Sequence, residues 1–202
     1  ENSQSRRPRR SAPALSAGWP RVSPGTWSRR GLVLGLVLGC ALRLTGVSRG
    51  VVAAGAGAPA GFHGFHPDEA TIARAALELH DPLDPPLTTY GLVPLYLART
   101  ALAAAGAGTA ADLDAGGREV YLVLRALAVR IGCATLVLVY LLGRRVFDEA
   151  AAVLAALFLA VAPVAIQQAH FYTVDGVFLL GVTVALWAMV RYDEAPSAAQ
   201  GA

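Results

Sequence analysis

Lysine is missing from this chain: all 17 basic residues are arginine. In a sequence crowded with Ala, Arg and Gly, that reads first as a coding bias. Charge of either sign is scarce, at 15% of 202 residues against about 25% in an average soluble domain. Hydrophobic residues reach 55% and the mean hydropathy is +0.50. This balance argues against a soluble domain and excludes a disordered or collagen-like chain. Cysteine is limited to Cys40 and Cys133, both inside apolar runs. Two such thiols make no disulfide scaffold, and without a CxxC or a Cys/His cluster there is no zinc signature. There is no initiator Met, the chain stops just after an apolar segment, and it reads as a fragment. No internal repeat is found.

What is present is an uneven distribution of arginine. A net charge of +3 and a pI of about 9.2 hint at nucleic acid. Yet seven arginines precede residue 31 and the rest of the chain is slightly acidic. The expected partner is therefore the lipid bilayer, with no nucleic acid, and the arginines report topology. The fold class is an all-α polytopic membrane protein with about four transmembrane helices and juxtamembrane helices on the outer face.

The Arg-rich segment 1–30 cannot bury a core and is expected to be a disordered cytoplasmic tail. Residues 31–47 form the first apolar run, broken only by Arg43. Two readings stay open: a span whose Arg43 snorkels to the far interface, or a signal peptide. Both place residue 50 outside. Residues 48–119 form a net negative outer loop. Within it Pro67 opens an amphipathic helix over about 67–79, the run from Asp81 to Pro86 breaks the chain, 92–105 is too short to span comfortably, and 106–117 is a loop. Segments 120–142, 150–166 and 174–190 are expected to span, followed by a cytoplasmic tail, 191–202. With the N-terminus in the cytoplasm, Arg144, Arg145 and Arg191 also fall inside, as the positive-inside rule requires. The expected location is the plasma membrane, multi-pass.

Two polar constellations then share the outer face: His66-Pro67-Asp68-Glu69, and the run from Gln167 to Asp175. Ionisable groups at or within the membrane are functional candidates because burying them is costly. Simpler explanations compete. Asp68 and Glu69 suit the first turn of a helix behind a proline, and Asp175 suits another with Thr173 as N-cap. Arg125 could snorkel outwards. Arg130 lies deeper, about 15 Å along the helix from Val120, and should face a bundle interior or a wet cavity, where it could hold a lipid-linked phosphate. His170 suits a hydrogen-bonded interfacial role, and aromatic belts account for Tyr90, Tyr96, Tyr121 and Tyr172.

The ordered set of blocks resembles a known family. An N-terminal span ending in Arg43 is followed by His66-Pro67-Asp68-Glu69 and by the stretch from Pro85 to Leu97. Then come Leu124-Arg125-Ala126-Leu127, the stretch from Tyr140 to Phe147, Ala162-Pro163, and the stretch from Gln168 to Asp175. From about residue 31 to 191 this is similar to the N-terminal half of a GT-C class membrane glycosyltransferase of the protein mannosyltransferase and aminoarabinose-transferase-like kind.

The resemblance implies transfer of a sugar, with inversion, from a polyprenyl-phosphate donor to an acceptor (protein, lipid or glycan) on the extracytoplasmic face. Asp68 matches the catalytic base, Glu69 its partner and Asp175 a second acid of the site. Arg125 matches a span-two arginine that holds the site or the donor phosphate, and 92–105 matches a juxtamembrane helix. Arg74, Arg130, His66, His170 and Tyr172 complete the expected substrate-binding set. No cofactor or metal is expected with certainty, although Asp68 and Asp175 could bind a divalent cation through oxygen ligands.

The chemistry suits these residue types. A carboxylate can deprotonate a hydroxyl acceptor, a second can stabilise oxocarbenium character, and an anionic phosphate needs a cation more than an acid. One departure is notable. Where some relatives carry a lysine before the paired prolines, this chain has Asp84, so arginine must serve the phosphate. The competing classes are a transporter and a non-catalytic membrane protein.

Overall fold

The computed structural model describes residues 26–52, 61–62, 65–114 and 117–194. Most of the expected tail 1–30, the Ala/Gly/Pro stretch 53–60 and the end of the expected tail 191–202 lie outside them. Helix α1 (Thr26–Leu44) starts five residues before the expected span and ends three before it. A turn over residues 45–50 follows. Strands β1 (Val51–Val52) and β2 (Gly61–Phe62) then form a short antiparallel ladder that the sequence did not suggest.

Helix α2 (Pro67–Glu78) and helix α3 (Leu92–Ala105) fall where expected. Pro67 starts α2, where its missing N–H costs no helical bond. Gly106, with φ +62, ends α3 in the left-handed conformation. The expected loop after it contains a five-residue helix, α4 (Ala110–Asp114). Helix α5 (Arg118–Val146) has 29 residues, or about 44 Å.

The expected third span divides into α6 (Glu149–Val161) and α7 (Pro163–Gln168). Pro163 has no N–H to give the carbonyl of Leu159, and it holds Ala162 in an extended conformation, φ −63 and ψ 118. Helix α8 (Val174–Glu194) closes the described chain.

Helix α5 is central. Helices α1, α6 and α8 pack around it, and α2 and α3 cover its N-terminal part. Small residues decide how closely α1 meets α6. Gly31, Gly35 and Gly39 repeat every four residues along one face, and a Cβ at Gly39 would lie 2.9 Å from that of Ala160. Such stripes let helices approach in lipid, where no hydrophobic drive separates helix from solvent. The best-buried apolar cluster is elsewhere, among Ile72, Ala76, Leu95, Leu102, Val120 and Leu124 of α2, α3 and α5. Val37, Phe158, Phe178 and Met189 are exposed. Helices α5 and α8 are long and apolar enough to cross a membrane. Helix α1 carries three arginines in its 19 residues and α6 has only 13 residues.

Arg43 does not snorkel. It is 1% exposed, and its Nη1 donates to the carbonyls of Gly39 (3.0 Å) and Ala160 (3.1 Å) while Nη2 donates to that of Leu159 (3.0 Å). The reason is the break at Pro163. Leu159 and Ala160 end α6 with carbonyls that the interrupted helix cannot satisfy, and the guanidinium supplies the donors. At the opposite end of α5, Arg144 pairs with Glu149 at 2.7 Å and Arg145 pairs with Glu194, tying α5 to α6 and α8.

Candidate functional site

The site begins at the N-terminus of α2. His66 caps the helix, its Nδ1 accepting the N–H of Asp68 at 3.3 Å. The same Nδ1 lies 3.9 Å from Asp68 Oδ2, beyond hydrogen-bond reach. Asp68 and Glu69 are adjacent, and about 100° of helical rotation sends them in different directions. Asp68 stays about a third exposed and Glu69 is fully buried.

Glu69 meets Arg125 of α5 in a two-pronged ion pair. Nε donates to Oε1 at 2.6 Å and Nη2 to Oε2 at 2.7 Å, with both side chains at 0% exposure. The remaining Nη1 donates to the carbonyl of Arg49 at 2.6 Å and reaches that of Val47 at 3.4 Å. The guanidinium carbon lies 5.4 Å from the Phe171 ring centroid and 5.9 Å from that of Tyr121. Every nitrogen of Arg125 is engaged by the protein. In this conformation it binds the fold rather than standing open to a donor phosphate.

Asp68 instead faces the loop between α2 and α3. Tyr90 donates its hydroxyl to Asp68 Oδ1 at 3.0 Å. That hydrogen bond, with the nearby negative charge, raises the Tyr90 phenol above the ordinary tyrosine range, so it remains a donor. The loop is fastened at a second point, where the Tyr96 hydroxyl donates to the Pro82 carbonyl at 2.6 Å.

The two polar constellations do meet, through aromatic rings. His66 lies 5.9 Å, centroid to centroid, from Phe171, which also faces Arg125. Asp175 is exposed at the start of α8, where Gln168 Nε2 reaches its Oδ2 at 3.4 Å. The Thr173 hydroxyl donates to Gln168 Oε1 at 3.2 Å. Asp68 and Asp175 share no partner among the described residues. Asp175, Gln168 and Arg43 line a mainly apolar cavity of about 400 Å³ between α5, α7 and α8. Among the described residues no group of three or more His, Cys, Asp or Glu side chains is gathered around a common point.

The other expected site residues are placed differently. Tyr172 is buried, its hydroxyl donating to the Pro94 carbonyl at 2.7 Å, and burial pushes its phenol far above the usual range. His170 Nε2 lies 3.2 Å from the Leu42 carbonyl. Arg74 approaches Glu78 one turn on, at 3.7 Å. It lines a cleft of about 380 Å³ with Thr71, Pro86 and Tyr121. Arg130, expected to face an interior or a wet cavity, is exposed. It sits five residues past Arg125, about 140° around the helix, which turns it away from the ion pair. The contributions of Tyr90 and Phe171 were not anticipated. Aromatics near an interface are common enough to hide those that touch a site.

Comparison with known proteins adds one finding. Residues 117–200, which include α5 to α8, match the family described as dolichyl-phosphate-mannose-protein mannosyltransferase. No curated protein and no solved structure matches the chain. The family match takes in Arg125 and Asp175 but not α2, so Asp68 and Glu69 are joined to the matched region by the buried Glu69–Arg125 pair. Together with the apolar helices, it supports a membrane glycosyltransferase of the mannosyltransferase type.

Proposed function

We propose that this chain is part of a polytopic membrane glycosyltransferase that moves a sugar from a polyprenyl-phosphate carrier to an acceptor hydroxyl on the extracytoplasmic face. In this reading the chain has four spans (α1, α5, α6 with α7, and α8) in the plasma membrane, with the N-terminus in the cytoplasm and α2 and α3 outside, as the arginine distribution favours. The observation that carries the reading is the contrast between two neighbouring acids. Glu69 is neutralised by Arg125 at 2.6 Å, while Asp68 stays partly exposed and held by Tyr90.

Asp68 is the base. It takes the acceptor's O–H proton as the acceptor oxygen bonds to the anomeric carbon. The bond from that carbon to the phosphate oxygen breaks on the opposite face, so the configuration inverts. The polyprenyl phosphate leaves as an anion and needs no proton. Glu69 and Arg125 anchor the helix that carries the base. Asp175, which lines the cavity between α5, α7 and α8, serves in this reading as the second carboxylate of the site.

Asp68→Asn tests this in the full-length protein in membranes, with polyprenyl-phosphate mannose as donor and a hydroxyl-bearing peptide as acceptor. Transfer should fall at least 100-fold while membrane insertion is unchanged. Turnover at the wild-type rate would remove Asp68 from the mechanism.

A further inference from the structure

A carboxylate base works only if one of its oxygens is presented to the acceptor proton in a fixed geometry. Asp68 is the second residue after the cap of α2, and its side chain is about a third exposed. What fixes it comes from the far end of the loop. Tyr90 reaches back 22 residues and donates to Oδ1 at 3.0 Å.

The loop is shaped for that reach. Gly91, which follows Tyr90, has φ +77 and ψ 162, and its N–H bonds back to the Thr88 carbonyl at 3.1 Å. A residue with a Cβ would be strained in that conformation. The turn separates Tyr90 from the axis of α3 and directs its ring towards α2. The Tyr96–Pro82 hydrogen bond secures the other limb of the same loop.

Building on the function proposed above, we propose that Tyr90 is a positioning residue: its hydroxyl holds Asp68 Oδ1 and leaves Oδ2 to take the acceptor's proton. On the other side of the carboxylate, His66 Nδ1 lies 3.9 Å from Oδ2, beyond hydrogen-bond reach, and accepts the Asp68 N–H. Tyr90 acts through Asp68. It sets the plane of the group that does the chemistry, and the raised phenol pKa keeps it a donor.

Tyr90→Phe removes the hydroxyl and keeps the ring. In the full-length protein in membranes, assayed with polyprenyl-phosphate-linked sugars, mannose first, and a hydroxyl-bearing peptide, kcat should fall about 10-fold. The donor KM should be unchanged, because no donor contact is lost. Tyr96→Phe is the control, since it cuts the other tie of the same loop without touching Asp68, and its kcat should fall less than that of Tyr90→Phe. An unchanged kcat in Tyr90→Phe, or an equal loss in Tyr96→Phe, would overturn the assignment. So would a raised donor KM with kcat preserved. Asp68→Asn, run alongside, separates the two levels. If it is inactive while Tyr90→Phe is normal, only the role of Tyr90 fails; if it retains turnover, the underlying reading fails.

Discussion

Replacing Arg125 by Met removes five donors from a place where water cannot replace them. Glu69 would remain at 0% exposure without a counter-charge, and the Arg49 carbonyl would lose its 2.6 Å donor. Removing one partner of a buried ion pair costs about 3–5 kcal/mol. For a chain of this size each kcal/mol corresponds to about 2–4 °C in Tm, so the midpoint should fall by roughly 6–20 °C. Unfolding in detergent can be followed with a thiol-reactive dye, because Cys40 and Cys133 are free thiols within α1 and α5. The pair is isolated by a cycle with Glu69→Leu and the double variant. The double variant should be more stable than Arg125→Met alone, because it leaves no unpaired buried charge, with a coupling of about 2 kcal/mol or more. Arg125→Lys should fall between, since lysine keeps the charge but cannot form the fork. A drop below about 2 °C for Arg125→Met, or a coupling near zero, would refute the reasoning and return Arg125 to the donor phosphate.

Two further predictions concern packing within the helical bundle. Gly39→Ala should destabilise by about 1–3 kcal/mol, because its Cβ meets Leu136 at 2.8 Å and Ala160 at 2.9 Å. Gly31→Ala meets only Val153, at 3.9 Å, and should be neutral or slightly stabilising through helix propensity; equal losses at both positions in the thermal assay would contradict the α1–α6 packing. Arg43→Met should cost about 1–3 kcal/mol, and this loss should shrink on a Pro163→Ala background, where the restored N–H can serve the Leu159 carbonyl. Additive effects of the two substitutions would show that Arg43 is not there to satisfy the break.

The helices were largely legible because their signals are local. Pro67 before two acids marks the start of α2, and the apolar run 92–105 coincides with α3. The break in the expected third span carried a local signal too, Pro163, but hydropathy alone runs straight through it. Long-range relations were not legible. Glu69 and Arg125 are 56 positions apart, and nothing on either element says that Arg125 would meet an acid instead of a phosphate. Arg43 illustrates the same limit. An arginine near the end of an apolar run suggests snorkelling, unless another helix brings broken carbonyls within reach. The Gly31, Gly35 and Gly39 stripe was readable, and it would have paired α1 with a helix of small residues such as α6.

The end of α1 and the turn that follows it explain why this end of the bundle is held by polar ties. Their carbonyls are bound from two directions, Leu42 of α1 by His170 and Val47 with Arg49 of the turn by Arg125. Arg43, one residue from the end of α1, reaches across to α6. Lipid gives apolar side chains little reason to prefer a neighbouring helix, so unsatisfied backbone groups become the stronger directional force there. Each tie also fixes a part of the candidate site. Arg125 fixes Glu69 and through it the helix that carries Asp68. Arg43 bonds the end of α6, immediately before the short helix α7 and the segment that carries Phe171. A substitution in this turn that displaces a carbonyl should therefore disturb Asp68 without touching it, which places the requirement for order at the site in the backbone of residues 42–49.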